Sequence, residues 1–356
     1  MDKFIKKLHF DFRVNQRVLL LIGILDGFKG KWNIVEKWEN RYLKELRRIA
    51  TIESIGSSTR IEGATLTDKE VQELLENIRI TKMQTRDEQE VVGYYEVLEL
   101  IFDNYADLKL SESHIKQLHQ LLLKYSHKDG RHRGCYKHLS NKVVATYPTG
   151  EQRTVFATTE PALVESEMHE LLEWVNEQLI AKEIHPLLII ALFVYEFLSI
   201  HPFQDGNGRL SRLLTTLCLL QNGYEFIQYV SFEKHVEQHK KAYYEALMSG
   251  QRNRNTGNEQ ISLWMLFFLE SLKSLTEKLE QKYNVFKQKG GYLNERQKQI
   301  ADFIAQNQPV KVGDISAHFK EIPINTIKKD LQYLRDEQIL AMIGKGKACV
   351  YVISDK

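Results

Sequence analysis

Twelve residues constrain this chain more than any others: His201-Pro202-Phe203-Gln204-Asp205-Gly206-Asn207-Gly208-Arg209-Leu210-Ser211-Arg212. They lie between two apolar runs, Leu187 to Ile200 and Leu213 to Leu220. The first run is too long for a typical buried strand and too short to cross a membrane, so it reads as a buried helix. Pro202 disfavours helical geometry at His201, which puts the helix end there. The second run stops at Asn222-Gly223, a helix C-terminal signal. Two buried helices joined by a tight loop predict a mainly α body.

The loop has the composition of an anion site. Gly206 and Gly208 reach backbone angles that other residues avoid, so successive N–H groups can point into one concavity. The second helix begins there and adds the positive end of its dipole. Arg209 and Arg212 sit three apart on one side of its first turn, with Leu210 and Ser211 between them. Two cations at a helix N-terminus are unfavourable alone, and a bound polyphosphate would resolve the conflict. Asp205 is a hard oxygen ligand beside it, and magnesium is commonly bound through one carboxylate plus substrate phosphates. His201 is the loop group suited to take a proton near neutral pH. Two other phosphate motifs fail. The chain has no GxxxxGK[ST], and Gly206-Asn207-Gly208 lacks the third glycine of the dinucleotide fingerprint and follows a helix rather than a strand. A lone GNG would be an ordinary turn; the His, Phe, Asp and two Arg around it set this one apart.

HPFQDGNGRLSR resembles, position for position, the signature of Fic-domain proteins, HPFx(D/E)GNGRxxR, and His185-Pro186-Leu187-Leu188-Ile189 is similar to the run that opens their preceding helix. Most Fic proteins transfer AMP from ATP to a hydroxyl side chain of a target protein. The resemblance implies that His201 is the general base and that Asp205 holds Mg²⁺. It implies that the Gly206–Gly208 backbone and Asn207 cradle the α- and β-phosphates, that Arg209 and Arg212 hold the β/γ end, and that Leu210 and Ser211 complete the nucleotide-binding stretch. A departure known in the family puts Lys at the second glycine and gives a kinase-like activity; this chain keeps Gly208, which favours AMP transfer.

A second informative stretch ends a predicted helix of about residues 36 to 63, on which Leu43, Leu46, Ile49, Ile52 and Ile55 fall at helical spacing. In Ser58-Thr59-Arg60-Ile61-Glu62-Gly63, Ser58 and Glu62 are four apart on one face, and Gly63 suits a C-terminal cap. An isolated SxxxEG is usually a solvated glutamate on a helix. Beside a Fic-type loop it resembles that family's inhibitory motif, (S/T)xxxE(G/N). The resemblance implies that Glu62 pairs with Arg212 in the place of the γ-phosphate, competing for one charge-assisted site.

The remaining elements follow from local pattern. Val18 to Leu25 predicts a helix ended by a turn at Gly27 and Gly30, with Trp32 and Trp38 packing this arm on the body. Thr67-Asp68-Lys69-Glu70 is a capping box, Glu88 to Phe102 an amphipathic helix, and Ser111 caps a helix whose apolar face includes Ile115, Leu118 and Leu122. His114 and His119 on that helix lack zinc-site spacing and read as packing or surface residues. Lys142 to Thr158 reads as a β-hairpin with its turn near Thr149-Gly150-Glu151. Fic proteins carry such a flap over the nucleotide loop, where it registers a target segment by strand addition. The resemblance places Asn141, Lys142, Val143 and Val144 on its target-binding edge. Gly134-Cys135-Tyr136-Lys137 is similar to the family's G-x-(Y/F)-R, with Lys in place of Arg. Tyr243-Tyr244-Glu245-Ala246-Leu247 resembles its YYxxL, which makes Tyr243 an adenine-pocket candidate as well as a core one. A long closing helix follows, from Glu259 to about Lys287.

At 356 residues the chain has room for two or three domains. The expected division is a helical arm with the inhibitory helix over residues 1–110, a Fic-type core over 111–286, and a linker and small module over 287–356. Lys287-Gln288-Lys289-Gly290-Gly291 is the linker candidate. Beyond it the predicted order of helices, a short β piece at Val310, and a closing hairpin resembles a winged helix-turn-helix, with Asn325 capping a recognition-type helix to about Glu337. Lys328, Lys329, Lys345 and Lys347 could touch phosphates, yet residues 291–356 carry a net charge of only +2. DNA and protein therefore both stay open as partners of this module, as does self-association into a homo-oligomer. A nucleotide-sensing DNA-binding regulator, or a Fic enzyme using another nucleotide, is the alternative to AMP transfer. The whole chain is also near neutral at +2, so no global field announces a nucleic-acid or membrane partner. Three scattered cysteines and the lack of a signal-peptide or membrane-spanning stretch lead to an expected cytoplasmic location.

Overall fold

The computed structural model describes residues 3–38, 40–78, 83–126, 128–146, 152–288, 295–336, 339–344 and 349–354. The chain divides into two compact units, Met1–Leu279 and Glu280–Lys356. The first unit is helical apart from one hairpin. Its elements are α1 (Lys3–Lys7), α2 (Phe12–Trp38), α3 (Asn40–Ile61), α4 (Asp68–Glu76), α5 (Arg86–Asn104), α6 (Glu112–Leu122), β1 (Lys142–Thr146), β2 (Gln152–Ala157), α7 (Pro161–Ala181), α8 (Pro186–Ile200), α9 (Asn207–Gln221), a 3₁₀ turn at Glu225–Tyr229, α10 (Phe232–Gln238), α11 (Lys240–Gln251) and α12 (Ser262–Gln288), whose residues from Glu280 on belong to the second unit.

The two apolar runs are the core. Every residue of α8 is buried except Pro186 and Leu188, and α9 is buried from Leu210 to Leu220. A helix that is apolar all round must be covered on all sides; α7 and α9 pack on α8, and α5 and α6 pack on α9. Gly93 in α5 lets α6 come close: a Cβ there would lie 2.1 Å from the carbonyl oxygen of Leu122. Trp264 of α12 is fully buried and donates from Nε1 to the carbonyl of Ala191 at 2.7 Å, locking α12 onto α8. The expected apolar side of α12, including Phe268, Leu272, Leu275 and Leu279, is buried throughout.

Local signals set most helix starts. Thr67 and Glu70 form the expected capping box, Ser111 accepts from the His114 N–H, and a second capping box joins Thr85 and Glu88. One expectation is corrected: Gly27 and Gly30 do not end the first long helix, which runs through them to Trp38. Each glycine costs about 1 kcal/mol against alanine inside a helix. Packing on both sides of Gly30 offsets that cost, with Phe28 stacked on Trp32 at 5.7 Å and edge-on to Phe226 at 5.4 Å. The side chain of Trp38 lies outside the described residues. Residues 36–38, expected to open the inhibitory helix, belong to α2, and α3 begins at Asn40.

The second unit contains α13 (Glu295–Asn307), α14 (Val312–His318), α15 (Ile324–Asp336), β3 (Leu340–Ile343) and β4 (Val350–Ile353). β3 and β4 pair antiparallel, and Val310 bridges to Tyr351. This is the element order expected of a winged helix-turn-helix. Ile300, Ile304, Ile315, Ile327, Leu331 and Leu334 form its core. Local chemistry sets two helix starts. α14 begins at Val312, because Asp314 reaches back to the Lys311 N–H at 3.0 Å. α15 begins at Ile324, directly after Pro323, so Asn325 is an exposed first-turn residue and not the cap. Lys345 and Lys347 lie outside the described residues, as does the linker from Lys289 to Gly291.

Candidate active site

α8 ends where Pro202 forces it to. His201 is its left-handed cap, at φ 52° and ψ 61°, with its N–H on the carbonyl of Phe197 at 2.9 Å. A non-glycine residue there is mildly strained, of order 1–3 kcal/mol, and persists because its surroundings hold it. Nδ1 of His201 lies 3.3 Å from the carbonyl of Leu198. A carbonyl only accepts, so Nδ1 carries the proton and Nε2 is left as the basic nitrogen. Burial pushes the His201 pKa down to about 4, against weaker opposing effects from the Leu198 carbonyl first, then Glu62 and Asp205, so the ring is neutral at physiological pH.

The loop is closed by its own side chains. Asn207 is buried and bonds both ways to Phe203, accepting from its N–H at 2.9 Å and donating to its carbonyl at 2.7 Å. The Asn207 amide group is thus engaged in closing the loop. Gly206 caps α9 at φ 80° and ψ 1°, which favours glycine. The first N–H groups of α9 have no partner within the helix and face the site. The Asp205 carboxylate accepts from the Gly206 N–H at 2.6 Å and lies 3.4 Å from Arg209 and 3.6 Å from Arg86. Burial acts to raise its pKa, but Arg209, the Gly206 N–H and Arg86 outweigh it, and the carboxyl sits below its ordinary value.

The two arginines have different partners. Arg209 is 1% exposed and pairs with Glu90 of α5 at 3.2 Å and with Asp205. Its Nε and Nη1 nevertheless make no hydrogen bond among the described residues. Arg212, 2% exposed, is fully engaged: Nη2 donates to Glu62 at 2.8 Å and to the Ser58 carbonyl at 3.0 Å, and Nε to the Ser58 hydroxyl at 2.8 Å. Ser58 comes from the last turns of α3. Glu62 follows the helix end, and Gly63 turns the chain at φ 107°. The Glu62 carboxylate lies on the loop itself, since a Cβ at Gly208 would stand 2.2 Å from its Oε1. Burial works to raise the Glu62 pKa, and Arg212 first, then Arg209 and His201, pull it below the ordinary range.

β1 and β2 pair antiparallel with a bulge between Val143 and Val144. The side chains of Lys142, Val143 and Val144 lie outside the described residues. Asn141 is placed: its amide donates to the Phe203 carbonyl at 3.0 Å, so the hairpin base is tied to the loop. Lys137 strengthens that tie. Its N–H holds the Pro202 carbonyl at 2.8 Å, and its buried ammonium reaches Asn141 at 2.8 Å, Thr158 at 2.7 Å and the Ile200 carbonyl at 3.2 Å. Burial lowers its pKa to about 8. Tyr243 is buried beside Arg212, with its ring edge-on to those of Tyr244, Trp264 and Phe267, which makes it a wall of the arginine pocket.

Four supporting residues were not expected: Arg86, Glu90, His119 and, as a strap, Lys137. His119 had a signal, because it interrupts the apolar stripe of Ile115, Leu118 and Leu122 on α6. It is indeed a packing residue, fully buried, but it also touches the loop. Glu90 and Arg86 are one turn apart at the start of α5, a spacing that any surface salt bridge shares.

Three histidines, His119, His201 and His235, are held neutral, each pushed down to about 4, chiefly by burial. The unfolded chain takes up protons as pH falls through about 6.5 while the folded chain does not, so their contribution is complete above that pH and is lost between about 6.5 and 4. The thermal midpoint should be level above pH 7 and fall across that window. A level midpoint down to pH 4.5 would show that these rings are not buried neutral.

A left-handed glycine, a helix N-terminus, a carboxylate, two buried arginines and a neutral histidine thus meet in one loop of this helical unit. Comparison with known proteins shows what it is similar to: residues 109–219 match the model of the Fic/DOC family. Protein adenylyltransferase Fic of Drosophila willistoni is 28% identical over 187 residues, which cover 52% of this chain and 35% of that protein. The chain thus spans about a third of the length of that curated relative. Among solved structures, a Fic family protein from Desulfovibrio desulfuricans G20 superposes with a TM-score of 0.66 at 20% identity, covering 96% of each chain. A Fic domain containing signaling protein from Bacteroides thetaiotaomicron superposes with a TM-score of 0.57 at 23% identity, covering 72% of this chain and 97% of that one.

Proposed function

We propose that this chain is a protein adenylyltransferase, restrained by its own Glu62, that moves AMP from ATP to a Ser, Thr or Tyr hydroxyl of a target protein or of itself. The observation that carries this is the Glu62 carboxylate lying against Gly208 and bonded to Arg212 at 2.8 Å. An acidic group already satisfies the arginine that a terminal phosphate would claim. Nε of buried Arg209, without a hydrogen bond among the described residues, supports the same assignment, because an uncompensated buried donor costs about 1–3 kcal/mol unless a ligand meets it.

In this mechanism the α9 N-terminus and the Gly206–Gly208 backbone hold the phosphates, and Arg209 and Arg212 hold their far end. The target segment pairs along β1, beginning at Asn141, and presents its hydroxyl to Nε2 of His201. His201 takes the hydroxyl proton as the oxygen forms its bond to the α-phosphorus; the bond to the β-phosphate oxygen breaks, and pyrophosphate leaves with the electron pair. Asp205 fits magnesium: it is ionised, a third exposed and beside the loop. Among the described residues no cluster of three or more metal-ligating side chains gathers, which suits an ion carried mainly by phosphates. Magnesium bound there would neutralise charge on the departing pyrophosphate. With water in place of the target hydroxyl, the same base would support removal of AMP. Glu62→Gly protein incubated with α- or γ-labelled ATP tests the assignment: label from the α position alone supports AMP transfer, label from the γ position means phosphoryl transfer, and label from neither refutes both. Other nucleoside triphosphates in the same assay test the choice of base.

A DNA contact by the second unit is a separate proposal, carried by one face of α15. Between Asn325 and Gln332 its exposed residues are Asn325, Lys328, Lys329 and Gln332. Asp330, the acid in that span, is turned inward and pairs with Arg296 at 2.6 Å. If that face meets phosphates, a random duplex is retained at low salt, and Lys328→Gln/Lys329→Gln lowers the salt slope by about one unit per lysine. An unchanged slope means that the face has another use. The absence of a helix long and apolar enough to cross a membrane, among the described residues, is compatible with a cytoplasmic setting for both roles.

A further inference from the structure

His119 makes two contacts with the loop and one with the chain leading to the hairpin. Its Nε2 lies 2.9 Å from the Asp205 carbonyl, its Nδ1 accepts the Gly134 N–H at 2.8 Å, and its ring stacks on Phe203 at 3.8 Å and 13°. A Cβ on Gly206 would stand 3.4 Å from the same Nε2. Only one tautomer satisfies both bonds. The carbonyl of Asp205 must be given a proton and the N–H of Gly134 must be given a lone pair, so Nε2 is protonated and Nδ1 is bare.

The consequence lies in the peptide plane between Asp205 and Gly206. In a trans peptide the C=O and the following N–H point in opposite directions. With the Asp205 carbonyl drawn to His119, the Gly206 N–H is aimed the other way, where it meets the Asp205 carboxylate at 2.6 Å. Gly206 itself does not hold this plane, because glycine takes either sign of φ with little cost. We propose that His119 is a positioning residue that prevents this peptide from flipping, and so keeps the Gly206 N–H on the Asp205 carboxylate and that carboxylate turned toward the nucleotide. The inference rests on the loop binding ATP, as proposed above, and assigns to His119 a task beyond packing.

Two substitutions of similar size separate the two hydrogen bonds. His119→Gln reaches the Nε2 position with an amide donor, so it keeps the Asp205 bond; His119→Asn is shorter, reaches the Nδ1 position and keeps only the Gly134 bond. Both are made in the Glu62→Gly protein, and self-labelling from α-labelled ATP, affinity for fluorescent ATP, thermal midpoint, and hydrogen exchange of the 200–210 segment without nucleotide are measured. The glutamine variant should label within a few-fold of its parent. The asparagine variant should lose on the order of 10²-fold in kcat, the scale of an ångström-level misplacement. It should also bind ATP more weakly and exchange faster across the loop, at a thermal midpoint matching that of the glutamine variant. Equal activity and equal exchange in the two variants, whether both high or both low, would overturn the proposal. If the Glu62→Gly parent neither binds nor labels, the adenylyltransferase assignment fails instead, and the exchange comparison still decides whether His119 holds the loop.

Discussion

Glu62→Gly is expected to raise transfer from α-labelled ATP well above the wild-type level. Glu62 and the terminal phosphate compete for Arg212, and the carboxylate has the advantage of being attached. Arg212 is 2% exposed and already accepts partners on three of its donors from Ser58 and Glu62. A hydrogen bond to a charged group contributes about 1.5–3 kcal/mol, so removing this one should favour the phosphate by about ten- to a hundredfold. Ser58 keeps its two bonds to Arg212, so the arginine stays in place when Glu62 is gone. Gly63 and the turn after α3 are exposed and tolerate a second glycine, so the thermal midpoint should move little. Labelling equal to wild type, in protein that unfolds at the wild-type temperature, would mean that Glu62 restrains nothing.

The second large effect is a loss. His201→Ala in the Glu62→Gly background should lower turnover by about 10²–10⁴-fold, the usual contribution of a positioned general base. Nucleotide affinity should stay within a few-fold, because the groups assigned to the phosphates come from Asp205 to Arg212 and none is His201. The acid limb of the rate should reflect the same ring. Burial places its pKa near 4, so kcat/KM is expected to be flat from pH 5.5 to 7.5 where an ordinary histidine would titrate. Labelling at the parent's rate after His201→Ala, or a rate that halves near pH 6.5, would each remove His201 from its assigned role.

Much of the site was legible because it is local. His201 to Arg212 is one continuous segment, and several features that shape it are carried within it: Pro202 ends α8, Gly206 takes the left-handed cap, and Asn207 closes the turn on Phe203. Capping boxes at Thr67 and a side-chain cap at Ser111 were legible for the same reason. What failed was long-range. Gly27 and Gly30 read as a break, yet the aromatic contacts of Phe28 with Trp32 and Phe226 carry α2 through them, and Phe226 lies far along the chain. Tyr243 read as a core residue as well as an adenine-pocket candidate, and its ring neighbours Trp264 and Phe267, which arrive from α12, were not legible locally.

By itself, the order of residues determined the buried helix pair, the tight loop between them and the chemical kinds gathered there, because backbone geometry, caps and hydrophobic periodicity act over a few positions. Only the tertiary structure decided which charge meets which: Glu62 with Arg212, Glu90 with Arg209, and the ring of His119 behind the Asp205 carbonyl. Such pairings depend on how helices distant in sequence cross, and a crossing is set by the packing of whole faces. No single stretch of chain contains that information.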